Sequence, residues 1–321
     1  MVRRLTAMTE SKLPQSRTIL LIVAWSVMLL VSNLPLIILQ EIFHINIPYN
    51  SRILASSIFL FLMLALTFVW PTLRVLREYF IVFIVLGISE WFVYNFLGNL
   101  PVIKSYLGAK VFVTSMFATQ TLRMIVSLIM IAALMIIKHH RDEFYLVKGD
   151  LGATAEPIPL LMNKPESWAK LGMVLSVCIS LGTLVFLLIA AGPSLAAQYS
   201  GVGADNLLRS LAFLLPAVLI FAVMNSFSEE LTYKASFLSV LHDPVGKQQS
   251  LLLMAAYFGI GHYYGIPYGI IGVIMAGILG WLLGKSMLET KGFTWAWFIH
   301  LLQDVLIFTF LAIGTITPGG S

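Results

Sequence analysis

Charged residues are scarce in this sequence. It has 20 Lys and Arg and 15 Asp and Glu among 321 residues, which is 11%, against about 25% in an ordinary soluble domain. Hydrophobic residues make up 59% of the chain, and its mean hydropathy is +0.92. A soluble globule could not cover its surface with so few polar groups, and a disordered chain would hold far fewer apolar residues. The composition therefore excludes both classes of protein.

Cysteine and several catalytic motifs are also missing. The single cysteine, Cys178, can form neither an intrachain disulfide nor a cluster of thiolate metal ligands. The sequence contains no HExxH zinc-protease helix, no GxSxG turn of a serine hydrolase and no phosphate-binding loop. The net charge of +5 comes from basic residues spread over short loops, which predicts that no nucleic acid is bound.

Long apolar runs, in contrast, are abundant. A bilayer core about 30 Å thick requires about 20 apolar residues from each helix that crosses it. The runs predict an all-α fold, a polytopic transmembrane helical bundle with eight or nine membrane-spanning helices. The sixth run is too long for one crossing and becomes charged after residue 227. We expect the spans at about residues 18–40, 53–73, 80–98, 113–137, 169–191, 207–241, 248–266, 268–284 and 293–314.

One substantial polar segment divides the chain into two membrane halves. It covers residues 138–168, and the sequence from Lys138 to Lys170 has five basic and five acidic residues. Residues 1–137 before it form an N-terminal membrane segment of about four spans. After it, residues 169–206 form a connecting span and loop, and residues 207–314 form a C-terminal membrane region.

Basic residues predict the orientation, because cytoplasmic loops retain positive charge. With a cytoplasmic N-terminus, only Arg52, Lys104 and Lys110 fall in outside loops. We therefore expect a multi-pass integral membrane protein, in contact with membrane lipids, whose N-terminus and 138–168 loop are cytoplasmic. The cytoplasmic set comprises Arg3, Arg4, Lys12, Arg17, Arg74, Arg77, Lys138, Arg141, Lys148, Lys164, Lys170, Lys247, Lys285 and Lys291.

Ionisable side chains inside the spans are costly in lipid and need a partner, a water-filled cavity or a function. Glu90, Arg123 and Arg209 are scattered, and the first two are predicted to form an ion pair between the third and fourth spans. The others fall in three successive segments of the last third of the chain. They are Glu229, Glu230, Lys234, His262, His300 and Asp304.

The first of these segments holds two adjacent carboxylates and a lysine. Lys234 lies four residues after Glu230, on the same helical face, so it can neutralise that carboxylate and leave Glu229 free. Two carboxylates at membrane depth repel each other, and low dielectric favours protonation of the one that is less well paired. This is the condition for a general base near neutral pH.

The other two segments each supply a histidine. His262 ends the stretch Phe258-Gly-Ile-Gly-His262, whose glycines allow another helix to approach closely. His300 precedes Asp304 by four residues, the spacing at which a carboxylate can fix the tautomer of the ring. Carboxylates and histidines converging from three helices can activate a water molecule, whereas no side-chain nucleophile accompanies them.

The three segments resemble the motifs of the CPBP (Abi) intramembrane protease family, which includes the type II CAAX prenyl endopeptidases. The family pattern is EExxxR, then FxxxH, then HxxxN or HxxxD. The resemblance covers roughly residues 207–314, which we predict to be a protease core. In order, the matching residues are Glu229, Glu230 and Lys234, then Phe258 and His262, then His300 and Asp304.

The resemblance implies an intramembrane endopeptidase acting on a membrane-embedded or lipidated peptide or protein. It implies that Glu229 and His262 hold and deprotonate the attacking water. His300 and Asp304 would stabilise the oxyanion, and Lys234 would support Glu230. Phe258 is a candidate substrate-binding residue.

The resemblance leaves the cofactor open. Members of the family have been described both as metalloproteases and as glutamate-dependent enzymes without a metal. Zinc is therefore the candidate cofactor, and Glu229, His262 and His300 are its candidate ligands.

Two of these positions are chemically distinctive. The family usually has arginine where Lys234 stands, and lysine lacks the planar fork that binds a carboxylate through two bonds. Asp304 needs a proton to donate to an oxyanion, whereas an asparagine would donate directly.

Two other functions stay open. One is a catalytically inactive relative that serves as a scaffold or immunity protein. The other is a proton-coupled transporter whose buried charges line a cavity.

Overall fold

Helices make up most of the computed structural model, which describes residues 13–159, 161–200 and 204–316. The predicted all-α membrane bundle is confirmed. The predicted cytoplasmic N-terminus, with Arg3, Arg4 and Lys12, lies outside the described residues. The helices are α1 (Leu13–Val31), α2 (Leu34–Ile42), α3 (Tyr49–Val69), α4 (Pro71–Asn99), α5 (Pro101–Leu107), α6 (Phe112–Lys138), α7 (Trp168–Gln198), α8 (Ala204–Glu229), α9 (Ser236–Val245), α10 (Lys247–Gly261), α11 (Ile270–Thr290) and α12 (Thr294–Thr315).

The described residues contain seven helices that are long and apolar enough to cross a membrane, or eight if α1 and α2, bent by 51°, form one span. Eight or nine were predicted, and the difference lies at the predicted span 248–266. There α10 has only 15 residues, about 22 Å of helix, which is short of a full crossing. The tyrosines and isoleucine that follow extend the apolar run, but the helix ends at Gly261 and the residues after it, Gly265 and Pro267 among them, form a turn.

Helices α10 and α11 form a tight antiparallel hairpin. A Cβ atom on Gly259 would lie 2.5 Å from the carbonyl oxygen of Val273, so only glycine permits this approach. The predicted close contact at a glycine is thus confirmed. At the open end, the Nζ atom of Lys247 donates to Glu289 over 2.9 Å. The hairpin therefore begins and ends on one side of the bundle, and its turn carries His262 away from that side.

The polar segment folds onto that same side. We call residues 139–159 and 161–167 the cap, which contains strands β1 (Thr154–Ala155) and β2 (Glu166–Ser167). Its Asp150 amide donates to the carbonyl oxygen of Thr290 over 2.8 Å, and its Glu156 carboxylate accepts from Lys247 over 2.7 Å. The hydrogen bond from Lys247 holds the pKa of Glu156 below its usual range. The cap thus joins the ends of α10, α11 and α12.

The cap is predicted to be cytoplasmic, and single cysteines test this orientation. In a Cys178→Ser background, Pro159→Cys places an exposed thiol in the cap and Tyr106→Cys places one in α5, at the other end of α6. A membrane-impermeant maleimide added to intact cells should label the α5 cysteine and reach the cap cysteine only after permeabilisation. Labelling of the cap in intact cells would reverse the orientation.

Candidate active site

Three helical elements bring the six predicted charged and histidine site residues into one cluster. Helix α8 ends at Glu229 and continues into a π-helical turn, Glu230–Ala235, a wide turn that often occurs at functional sites. Helix α10 ends just before His262, and α12 carries His300 and Asp304 one turn apart. Neighbouring residues on a helix point about 100° apart, so Glu229 and Glu230 face different surroundings.

Glu229 lies at the centre of the cluster. Its Oε2 atom is 3.8 Å from His300 Nε2 and 4.0 Å from His262 Nε2. Its Oε1 atom accepts a hydrogen bond from Arg123 Nη1 over 2.9 Å and another from Asn225 Nδ2 over 3.3 Å. One carboxylate oxygen is thus paired with a cation, while the other faces two imidazole rings.

The second nitrogen of each histidine is held by an acceptor. His262 Nδ1 donates to the carbonyl oxygen of Phe258 over 2.8 Å, because a carbonyl oxygen can only accept. His300 Nδ1 donates to Glu230 Oε1 over 2.6 Å. In the neutral ring of His262, Nε2 then carries no hydrogen and can accept one from a water or a substrate.

Glu230 and Lys234 form a fully buried ion pair behind His300. Lys234 Nζ donates to Glu230 Oε1 over 2.6 Å, and both side chains are 0% exposed. The pairing that the four-residue spacing predicts is confirmed. Lys234 Nζ also lies 3.5 Å from the centroid of the Phe258 ring, a cation–π contact. Among the described residues, Glu230 Oε2 has no hydrogen-bond partner.

Asp304 lies between Asn225 and His300. Its Oδ2 atom accepts from Asn225 Nδ2 over 3.0 Å, and its Oδ1 atom lies 3.6 Å from His300 Nε2. Asn225, one helical turn before Glu229, therefore links the carboxylates of Glu229 and Asp304. Asn225 was not among the predicted site residues, although its position four residues before Glu229, on the same helical face, is a signal in the sequence that points to it.

The predicted ion pair between Glu90 and Arg123 is wrong. Arg123 instead hydrogen-bonds both Asn225 and Glu229, so it belongs to the site. Glu90 accepts a hydrogen bond from the Tyr233 hydroxyl over 2.7 Å. The physical reason is packing, since α6 lies against α8 and brings Arg123 beside the carboxylate at the end of that helix.

A cavity of about 530 Å³ opens beside this cluster. Glu229, His262, Arg123 and Glu90 line it, together with the tyrosines Tyr94, Tyr233, Tyr257 and Tyr264. Glu230, Lys234, His300 and Asp304 are not part of its wall, and the first two are wholly buried. Phe258, the candidate substrate-binding residue, reaches the wall but is only 3% exposed.

The candidate zinc ligands do not form a metal site. Within the described ranges, no group of three or more His, Cys, Asp or Glu side chains is placed to hold a metal ion, and this includes Glu229, His262 and His300. The chemistry agrees, because Arg123 already occupies one oxygen of Glu229 and its charge would repel a dication.

Comparison with known proteins agrees with the motifs. Residues 211–306 match the family model of Rce1-like type II CAAX prenyl endopeptidases, and this range contains all six charged and histidine site residues. No curated protein and no solved structure matches the chain. Helices α1 to α7 and the cap, and with them Glu90 and Arg123, lie outside the matched range. The resemblance predicted from three short motifs is confirmed: residues 211–306 are a domain of the CPBP (Abi) family, of the Rce1-like type II CAAX prenyl endopeptidase kind.

Proposed function

We propose that this protein is an intramembrane endopeptidase that hydrolyses a peptide bond of a membrane-embedded or lipidated peptide or protein. One observation carries the proposal. Glu229, in the wall of a polar cavity among membrane-spanning helices, directs one carboxylate oxygen at two histidine rings. An intramembrane carboxylate in such a setting is expected to have a function.

The geometry suits a water that Glu229 activates. Glu229 Oε2 and His262 Nε2 are 4.0 Å apart. A single water can bridge these two atoms. If each of its hydrogen bonds is about 2.8 Å long and the two meet at the water oxygen near a right angle, the bridged atoms lie about this far apart. The carboxylate would accept one hydrogen of the water and the neutral imidazole nitrogen of His262 the other, which leaves an oxygen lone pair for the attack.

Glu229 alone can carry the proton that moves from the water to the leaving nitrogen. As the water oxygen attacks the carbonyl carbon, Glu229 takes a proton from it and the carbonyl electrons move onto oxygen. When the tetrahedral intermediate collapses, the carbon–nitrogen bond breaks and Glu229 gives that proton to the leaving nitrogen. The products are a carboxyl group and an amine.

The residues behind the cavity wall position Glu229. Glu230 fixes the His300 ring through its Nδ1 hydrogen, and Lys234 balances the charge of Glu230. The Nε2 atom of His300 then faces Glu229 Oε2. In this assignment Glu230, Lys234, His300 and Asp304 are positioning residues, because none of them lines the cavity.

The family name and the place of the site support a more specific substrate class. The matched family bears the name type II CAAX prenyl endopeptidase. The cavity lies among lipid-embedded helices and offers tyrosine and phenylalanine rings beside its charges. We therefore propose a peptide with a lipidated cysteine near its C-terminus as the substrate.

Purified protein in liposomes tests the proposal with matched peptides. A farnesylated peptide ending in a CAAX sequence, the same peptide without the lipid, and a lipidated peptide lacking the CAAX sequence are each incubated with the protein. Mass spectrometry should show cleavage at one bond near the farnesylated cysteine and little cleavage of the others. A folded protein that cleaves none of them would contradict the proposal, and proton flux in its place would support the transporter.

A further inference from the structure

We infer that Arg123, on α6 and outside the family-matched range, donates the hydrogen bonds that stabilise the oxyanion of the tetrahedral intermediate. The inference rests on the proposed function and adds a catalytic residue to it. It differs from the expectation that His300 and Asp304 do this work. Two independent observations support it, a count of available donors and the exposure of Arg123.

Few side chains next to Glu229 have a hydrogen-bond donor available for the oxyanion. Asp304 accepts a hydrogen bond from Asn225 at Oδ2 and does not line the cavity, so it presents no donor to a substrate there. The Asn225 amide is used by Asp304 and by Glu229 Oε1, and its residue is only 7% exposed. An oxyanion requires preorganised donors aimed at the carbonyl oxygen, and neither residue meets that requirement.

Neither His262 nor His300 supplies the missing hydrogen-bond donor. His262 uses its Nδ1 hydrogen on a backbone carbonyl, so its neutral ring offers the cavity an acceptor. His300 uses its Nδ1 hydrogen on Glu230 and is not part of the cavity wall. A substrate carbonyl in the cavity therefore needs a donor from another element.

Arg123 meets the requirement. Its guanidinium carries five N–H donors in a rigid plane, and only Nη1 is engaged, by Asn225 and Glu229. No described residue accepts a hydrogen bond from its Nε or Nη2 atoms. The side chain is 39% exposed and lines the cavity, whereas the paired Glu229 side chain is 13% exposed.

Contact with both the base Glu229 and the substrate carbonyl oxygen explains why position 123 is an arginine. While Nη1 holds Oε1 of the base, Nη2 and Nε can reach a carbonyl oxygen next to the attacking water. As electrons move from the carbonyl bond onto oxygen, the negative charge develops beside a cation that stays protonated throughout. The planar fork thereby fixes the distance between the base and the oxyanion, which the point charge of a lysine cannot do.

Kinetics of Arg123→Gln and Arg123→Lys in liposomes, with the farnesylated CAAX peptide, test the inference. Loss of an oxyanion donor should lower kcat by about 10²- to 10³-fold with little change in KM. Arg209→Gln is the matched control, since it removes an exposed intramembrane arginine of α8 and should leave kcat unchanged.

Inhibitor binding separates a catalytic from a structural role. A phosphinic analogue of the scissile bond imitates the tetrahedral oxyanion, whereas an N-methylated peptide imitates the ground state. Arg123→Gln should weaken binding of the phosphinic analogue by the same factor as kcat/KM and leave the N-methylated peptide bound. If Arg123→Gln does not fold, Arg123→Lys carries the same comparison.

The outcomes distinguish this inference from the proposed function. Arg123→Gln with undiminished kcat, or with equal loss of both ligands, overturns the role of Arg123 while cleavage by the natural sequence and its loss in Glu229→Gln still support the endopeptidase. A natural sequence that cleaves no peptide overturns both.

Discussion

Glu229→Gln should lower peptide hydrolysis by about 10²- to 10⁴-fold, the usual effect of losing a general base. Glutamine keeps the size of the side chain and an oxygen that accepts from Arg123, but it cannot take a proton from water. The fold should persist, because the substitution removes one charge from a wall that water can reach. We expect the same loss for His262→Ala, which removes the second partner of the water.

Initial rates with the farnesylated peptide measure this effect. Glu78→Gln is the control, since it removes a glutamate from the cap end of α4, where it pairs with Lys138 over 2.5 Å. Its rate should stay within about threefold of the natural sequence, as for an ordinary surface pair. A Glu229→Gln protein that cleaves at full rate would leave only the scaffold and transporter functions.

Lys234→Met should destabilise the protein and abolish activity. The lysine is 0% exposed and is 2.6 Å from Glu230, so it is not a surface residue that reaches into water. Methionine has a similar length and suits an apolar setting, but it leaves Glu230 buried without a cation. Breaking one side of a buried pair costs about 3–5 kcal/mol. A Glu230 that takes up a proton to avoid this cost would also hold the His300 ring less firmly.

Two further variants at this pair sharpen the test. Lys234→Arg should keep or raise activity, because a second N–H can reach Glu230 Oε2, which has no hydrogen-bond partner among the described residues. Lys234→Met combined with Glu230→Gln should be more stable than Lys234→Met alone, since it leaves no unpaired charge, but should stay inactive. Thermal unfolding and peptide cleavage measure both effects. An active Lys234→Met protein with unchanged stability would show that the ion pair is dispensable.

Local spacing was sufficient to predict much of the site. Glu230 and Lys234 are four residues apart, and their contact follows from helix geometry alone. The order of the glutamate and histidine motifs predicted that three helices meet, and the contacts of Glu229 with His262 and His300 agree. Composition and apolar runs likewise predicted the all-α membrane bundle.

The contact between Arg123 and Glu229 depends on long-range packing and was not predicted. Arg123 and Glu229 are 106 residues apart, and no local pattern tells which of several intramembrane carboxylates the arginine meets. The end of α10 was missed for a different reason. Hydropathy continues through Tyr263, Tyr264 and Ile266, while the backbone turns at Gly265 and Pro267, so the apolar run is longer than the helix.

Cleavage of the farnesylated CAAX peptide in water enriched in ¹⁸O tests the central claim most directly. With purified protein in liposomes, the new carboxyl group of the product should carry one solvent oxygen, and Glu229→Gln should yield almost no product. Such a result would show hydrolysis by water that depends on Glu229. A folded natural protein that gives no product, or a product without solvent oxygen, would contradict the account.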